Sequence, residues 1–266
     1  MKSYKFVDDG VNTSKVNMRK AKLLVEEGIF FKEVVDIRTQ RHLKHIATKA
    51  EDRGMTINAD KTGLMLISAA TSFQARVRIT LQNELVKGAD SMKILGVTLD
   101  SDMSFSSHVR NTAAKARAKS WALSKLKKKG LTDDKLSRAY KCLIRPSLEY
   151  AAPAWHSLIT AGQAADLEKQ QIQALKNIYG SGISASKLRA KAGVELLSKR
   201  RDRLALKFAQ KSINNPRTSG WFTERPRPAY ARRSSVIYPK FREETARTDR
   251  HRNSPKNYLV RKLNEQ

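Results

Sequence analysis

Apolar and polar positions change their period once along this chain. Up to about residue 102 the apolar residues come in short runs and alternations; from residue 104 onward they recur every three or four positions. In the first part, residues 4–7 read as a strand that ends at Asp8. Residues 22–25 and 29–35 read as short strands on either side of a Glu26-Glu27-Gly28 turn. Residues 39–53 read as a helix, with Leu43, Ile46, Ala47 and Ala50 on one face and Gly54 as its stop. A loop over 55–62 leads to strands over 64–68, 76–81 and 84–86, the second alternating strictly. Residues 92–99 read as another strand, with Gly96 marking a bulge or a close backbone approach.

The second part predicts helices. The first runs over 105–129, with Val109, Ala113, Ala116, Trp121, Leu123 and Leu126 as its apolar side and Gly130 as its end. Thr132 is the N-cap of the next, followed by Asp133 and Asp134, where the helix dipole favours acids. Pro146 restarts that helix at Arg145, and Pro153 breaks it again. Further helices follow over 164–179, 184–188 and 196–214. Residues 215–266 hold most of the prolines, many arginines and few aliphatics, which predicts a basic, largely disordered tail with a short helix over 259–263. The fold class expected is therefore α+β: 1–102 mixed strands and helix, 103–214 all α, 215–266 tail.

Charge changes the picture. The 266 residues carry 53 Lys and Arg against 25 Asp and Glu, a net charge of +28, which points to a polyanionic partner. The excess is uneven. Residues 186–266 hold 22 basic and 7 acidic residues, and the stretch from Phe105 to Gly130 holds eight basic residues and no acid. A single cysteine, Cys142, excludes disulfides and cysteine zinc sites within the chain and reads as a buried small hydrophobe. No apolar run is long enough for a membrane span, so the expected location is intracellular, in nucleus or cytoplasm. His42 and His45 lie three apart on a helix without a third ligand in register, and read as surface residues or phosphate contacts.

Four motifs stand in order: Phe6-Val7-Asp8-Asp9; Ile57-Asn58-Ala59-Asp60-Lys61-Thr62; Lys93-Ile94-Leu95-Gly96-Val97; and Leu143 to Tyr150 with Ala152-Pro153-Ala154-Trp155. Together they resemble the C-terminal part of the reverse transcriptase of a non-LTR (LINE-type) retrotransposon, and the resemblance covers nearly the whole chain. It implies a partial polymerase palm (antiparallel strands plus a helix), a helical thumb and a basic C-terminal region. Its chemistry is RNA-directed DNA synthesis, an in-line displacement at phosphorus with two Mg2+ ions about 4 Å apart. The implied partners are an RNA template, a DNA primer and dNTPs.

By resemblance Asp8 is a direct metal ligand and Asp9 its companion, with Phe6 beside the primer. Lys61 meets the incoming triphosphate on a loop organised by Asn58. Leu95 and Gly96 belong to the hairpin that grips the primer 3′ end. Lys115, Arg117, Lys119, Lys125, Lys127, Lys128 and Lys129 contact phosphates of the template–primer duplex, and Trp155 and Tyr150 either stack on bases or, the reading preferred here, belong to the thumb core. Only five residues precede Phe6. The family's other palm aspartate and its fingers lie before that motif, so the chain is expected to be a fragment that is inactive alone. The competing expectation is a non-catalytic RNA- or DNA-binding protein in which the basic helices and tail are the whole function.

Overall fold

A computed structural model describes residues 31–58, 61–65, 67, 79–81, 83–226 and 239–266. The chain divides into two units, Met1–Met103 and Ser104–Gln266. It is mostly helical with a few short strands, an α+β architecture.

In the first unit, helix α1 (Phe31–Glu51) precedes six short strands: β1 (Gly63–Leu64), β2 (Thr80–Leu81), β3 (Glu84–Leu85), β4 (Lys87–Gly88), β5 (Ser91–Ile94) and β6 (Val97–Asp100). Residues 31–35 were expected as strand from their aromatic and β-branched content; they form the opening turns of α1 instead. Leu43 and Ala47 of α1 pack with Ile57 and Leu64 against buried Ile79, Leu81 and Val86. Gln40 completes the join. Its Nε2 donates to the Thr80 carbonyl at 2.7 Å, and Thr80 N–H donates to its Oε1 at 2.9 Å. One side-chain amide thus satisfies the free edge of β2 as a neighbouring strand would.

β2 and β3 pair antiparallel, in the register Thr80 with Leu85 and Leu81 with Glu84. β1 and β4 pair parallel, a departure from the all-antiparallel expectation. The stretch 92–99, one strand by its apolar pattern and a hairpin at Leu95 and Gly96 by the resemblance, is a hairpin. β5 and β6 pair antiparallel from Ser91–Asp100 to Ile94–Val97, and Leu95 and Gly96 form the two-residue turn. Both turn residues have positive φ, 47° and 84°, the pattern of a type I′ turn. Gly96 takes this conformation without penalty, whereas Leu95 is strained by it.

The second unit is helical: α2 (Ser106–Lys128), α3 (Asp133–Ala139), a π-helical turn (Tyr140–Ile144), α4 (Arg145–Glu149), α5 (Ala152–Trp155), α6 (Ala161–Tyr179), α7 (Ala185–Ala192), α8 (Leu197–Ile213), α9 (Asp249–Arg252) and α10 (Pro255–Asn264). α3, the π turn and α4 are continuous. Pro146 has no N–H to give, and just before it Arg145 N–H reaches back five residues to Tyr140. α6 opens with a capping box between Thr160 and Gln163.

α2 and α6 run parallel. Gln163 donates to the Ser104 carbonyl and to Ser106 Oγ at one end, and Asn177 to the Ser120 carbonyl and Oγ towards the other. The buried side of α2 is Val109, Thr112, Ala113, Ala116, Ser120 and Leu123, with His108 at its start. Trp121 and Leu126, expected on that side, are exposed. Small residues line the contact because two helices approach closely there, and Asn177 satisfies the polar Ser120.

Residues 215–226 and 239–266 correct the expectation of a disordered tail. Phe222, Phe241, Leu259 and Val260 are buried with Ala205 and Ala209 of α8. Few aliphatics suffice because two asparagines one heptad apart on α10 hold an extended segment as a strand would. Asn264 donates to and accepts from the backbone of Phe241, and the buried Asn257 does the same for Glu244.

α10 is also tied to α8 through Asp202, which accepts from His156 Nε2 at 2.9 Å and from the Tyr258 hydroxyl. Burial pushes the Asp202 carboxyl up, but these two hydrogen bonds outweigh it and hold the group below the ordinary value of 3.8. The ionised form is the one bonded in the folded state. Its contribution is therefore complete above pH 3.8 and is lost as pH falls through the lower, folded-state value. Acidification from pH 6 to pH 3 is expected to lower the urea midpoint, followed by far-UV circular dichroism, more in the wild type than in Asp202→Asn. Equal losses in the two proteins would remove Asp202 as the cause.

Candidate nucleic-acid interface

The acid-free helix α2 has 23 residues, and its polar side is set by what its other side packs against. Since Val109, Ala113, Ala116 and Leu123 face the core, Lys115, Arg117, Lys125, Lys128 and Lys129 are left exposed. Lys115, Arg117, Lys128 and Lys129 have no ion-pair or hydrogen-bond partner for their side chains among the described residues. Lys125 Nζ lies 4.9 Å from the centroid of the Trp121 ring.

Two of the cations expected on this interface are used inside the unit. Lys119 Nζ donates to the Leu143 carbonyl at 2.8 Å and to Ser147 Oγ. It fastens α2 to the π turn, where the helical ladder is irregular. Lys127 Nζ donates to the Ile178 carbonyl at 2.7 Å and pairs with Asp133. It closes the C-terminal end of α6 onto α2 and α3. Both side chains are positioning groups for the fold, so the interface is narrower than the charge run in the sequence.

It is also wider than that run in one direction. Between the parallel helices α2 and α6 lies an open groove of about 740 Å³, lined by Arg110, Arg117, Lys169, Asp166, Gln163 and Gln173 among others. Three cations, one carboxylate and a row of side-chain amides suit a ligand rich in phosphate and hydrogen-bonding groups. Lys169 comes from α6, outside the basic stretch, and only the pairing of the helices brings it to Arg110 and Arg117.

Under this face the unit is held by a polar interior. Tyr140 donates to Gln171 at 2.6 Å, and Gln171 donates to Glu168 and to the Glu195 carbonyl. Glu168 also accepts from Arg189 and from the first N–H of α8 at Leu197. Burial pushes the Tyr140 hydroxyl well above its ordinary value, so it stays a donor. Arg201 is fully buried, and burial pulls its guanidinium down to about 10. Its Nε donates to His156 Nδ1 at 3.0 Å, which leaves Nε2 of that ring to donate to Asp202. The guanidinium carbon lies 5.5 Å from the Trp155 ring centroid. Trp155 is core, as expected of it, whereas Tyr150 and Cys142 are exposed.

The other expected site residues lie in the first unit. Lys61 is exposed, and Asn58 ties its loop: Asn58 Oδ1 accepts from Lys61 N–H at 3.0 Å and its carbonyl from Thr62 Oγ1 at 2.8 Å. Leu95 and Gly96 stand together at the tip of the β5–β6 hairpin, with Leu95 62% exposed. Phe6, Asp8 and Asp9 lie outside the described residues. Among the described residues no three His, Cys, Asp or Glu side chains form a group that could hold a metal ion. No helix among them is long and apolar enough to cross a membrane. Comparison with models of protein families, with curated proteins and with solved structures finds no match.

Proposed function

We propose that the unit Ser104–Gln266 is a nucleic-acid-holding module, the thumb of an RNA-directed DNA polymerase of the non-LTR retrotransposon kind. The β5–β6 hairpin is the element that meets the primer end, and Asp8 and Asp9 are the carboxylates assigned to magnesium. The observation that carries the reading is the exposed face of α2 with its C-cap, where Lys115, Arg117, Lys125, Lys128 and Lys129 stand without an acid. Phosphate contacts need positive side chains that are not already paired, and they read no sequence. The groove beside this face extends it onto α6 with Lys169 and side-chain amides. The order of the four sequence motifs supports the polymerase assignment over a generic basic protein.

The test is a titration of an RNA–DNA template–primer at several salt concentrations. Five phosphate contacts give a slope of log affinity against log salt of about −4 to −5. An affinity that does not fall between low and moderate salt would overturn the reading. Adding Mg2+ and dNTPs to the same complex is expected to give no primer extension. Product that disappears in Asp8→Asn would show instead that the chain holds a working metal site.

A further inference from the structure

Trp121 is 64% exposed, the most exposed of the large hydrophobic side chains among the described residues. Its place on α2 explains why nothing in the unit covers it. The core side of the helix runs through Ala116, Ser120 and Leu123, and Trp121 is turned about 100° from Ser120. Its neighbours on the helix surface are Ala114, Ala118 and Ser124, too small to shield an indole, and Arg117, Lys125 and Lys128, which are charged and exposed. The Lys125 ammonium, 4.9 Å from the ring centroid, accounts for one face of the ring. With so much of the residue in solvent, the other face is open.

An open aromatic face with cations one helical turn before it and one after it matches the chemistry of a nucleotide. The base has a π-face that stacks on indole, and the phosphates on either side of it take the flanking charges. A base inside a duplex has both faces already stacked, so this arrangement favours an unpaired one. We infer that Trp121 is a stacking platform for an unpaired base of a single-stranded nucleic acid, with Arg117 and Lys125 on its flanking phosphates. The inference rests on the nucleic-acid reading of the same face and adds to it a binding mode that phosphate contacts alone do not supply.

The test uses the full chain with three probes: a short oligothymidylate, a blunt DNA duplex, and heparin as a polyanion without bases. Oligothymidylate is expected to quench the fluorescence of the wild type and heparin is not. In Trp121→Phe the quenching is lost while affinity stays within about threefold, because phenylalanine still stacks. In Trp121→Ala, affinity for oligothymidylate falls about tenfold and affinity for the duplex changes less than about twofold. Equal quenching by heparin, or unchanged oligothymidylate affinity in Trp121→Ala, would overturn the stacking role. A wild type that binds neither nucleic acid would instead overturn the functional reading on which it rests. Trp121 is outside the core, so both variants are expected to keep the wild-type circular dichroism.

Discussion

Replacing Lys115, Arg117, Lys125 and Lys128 together by glutamate is expected to abolish binding to a template–primer duplex. Each phosphate contact releases about 0.9 counterion, which at 0.15 M salt multiplies affinity by roughly five; four contacts give about three orders of magnitude. The slope of log affinity against log salt falls by about 3.6 in the same experiment. Fluorescence anisotropy of a labelled duplex measures both. The control is the pair Lys119→Met and Lys127→Met, which carry the same type of charge on the same helix. They are expected to bind within about threefold of the wild type and to melt at lower temperature, because their ammonium groups serve the Leu143 and Ile178 carbonyls. If they lost as much affinity as the exposed set, the distinction between paired and unpaired cations would be wrong.

Trp155→Ala is expected to have the largest effect on folding. Trp155 is 1% exposed, meets His108 edge-on at 5.1 Å, and donates from Nε1 to the Tyr150 carbonyl at 2.9 Å. Truncating a fully buried tryptophan costs about 3–5 kcal/mol, a large share of the roughly 5–15 kcal/mol that holds a domain of this size. Here it also strips the aromatic face from a buried guanidinium whose two terminal nitrogens have no hydrogen-bond partner among the described residues. Urea denaturation followed by far-UV circular dichroism should show a large drop in midpoint, smaller for Trp155→Phe. A loss below about 1 kcal/mol would mean that the core does not centre on this residue.

The helices of the second unit were legible because their signals are local. Gly130 marked one end, Pro146 the π turn before it and Pro153 the start of α5, and the spacing of Val109, Ala113 and Ala116 gave the buried side of α2. The rest depended on partners distant in sequence. Trp121 looked like core because indoles usually are, and the alternative, a contact lined by Thr112 and Ser120, is visible only once α6 supplies Asn177. The β5–β6 turn was hidden from the apolar pattern, though not from the motif around Leu95 and Gly96, because leucine stands where asparagine or aspartate would have announced a type I′ turn. The C-terminal segment looked unable to pack because composition counts aliphatic side chains. Asn257 and Asn264, which do much of the holding, count there as polar.

The candidate interface was legible as a charge run but not as a set of residues. Sequence spacing cannot tell Lys119 from Lys115. Which of them turns inward depends on the carbonyl that the π turn places beside α2.

The parallel course of α2 and α6 has an electrostatic consequence. Antiparallel helices cancel much of each other's macrodipole, whereas parallel ones add, with both positive ends together and both negative ends together. The first turns of α2 and α6 contain no acid to neutralise the positive end. At the negative end stand Lys125 and Lys128 of α2 and Lys176 of α6, beside Lys127, whose charge is paired with Asp133. Backbone polarity supplies positive potential where lysines are fewer, and lysines supply it where the backbone turns negative. A polyanion lying along the helix pair is therefore attracted at both ends.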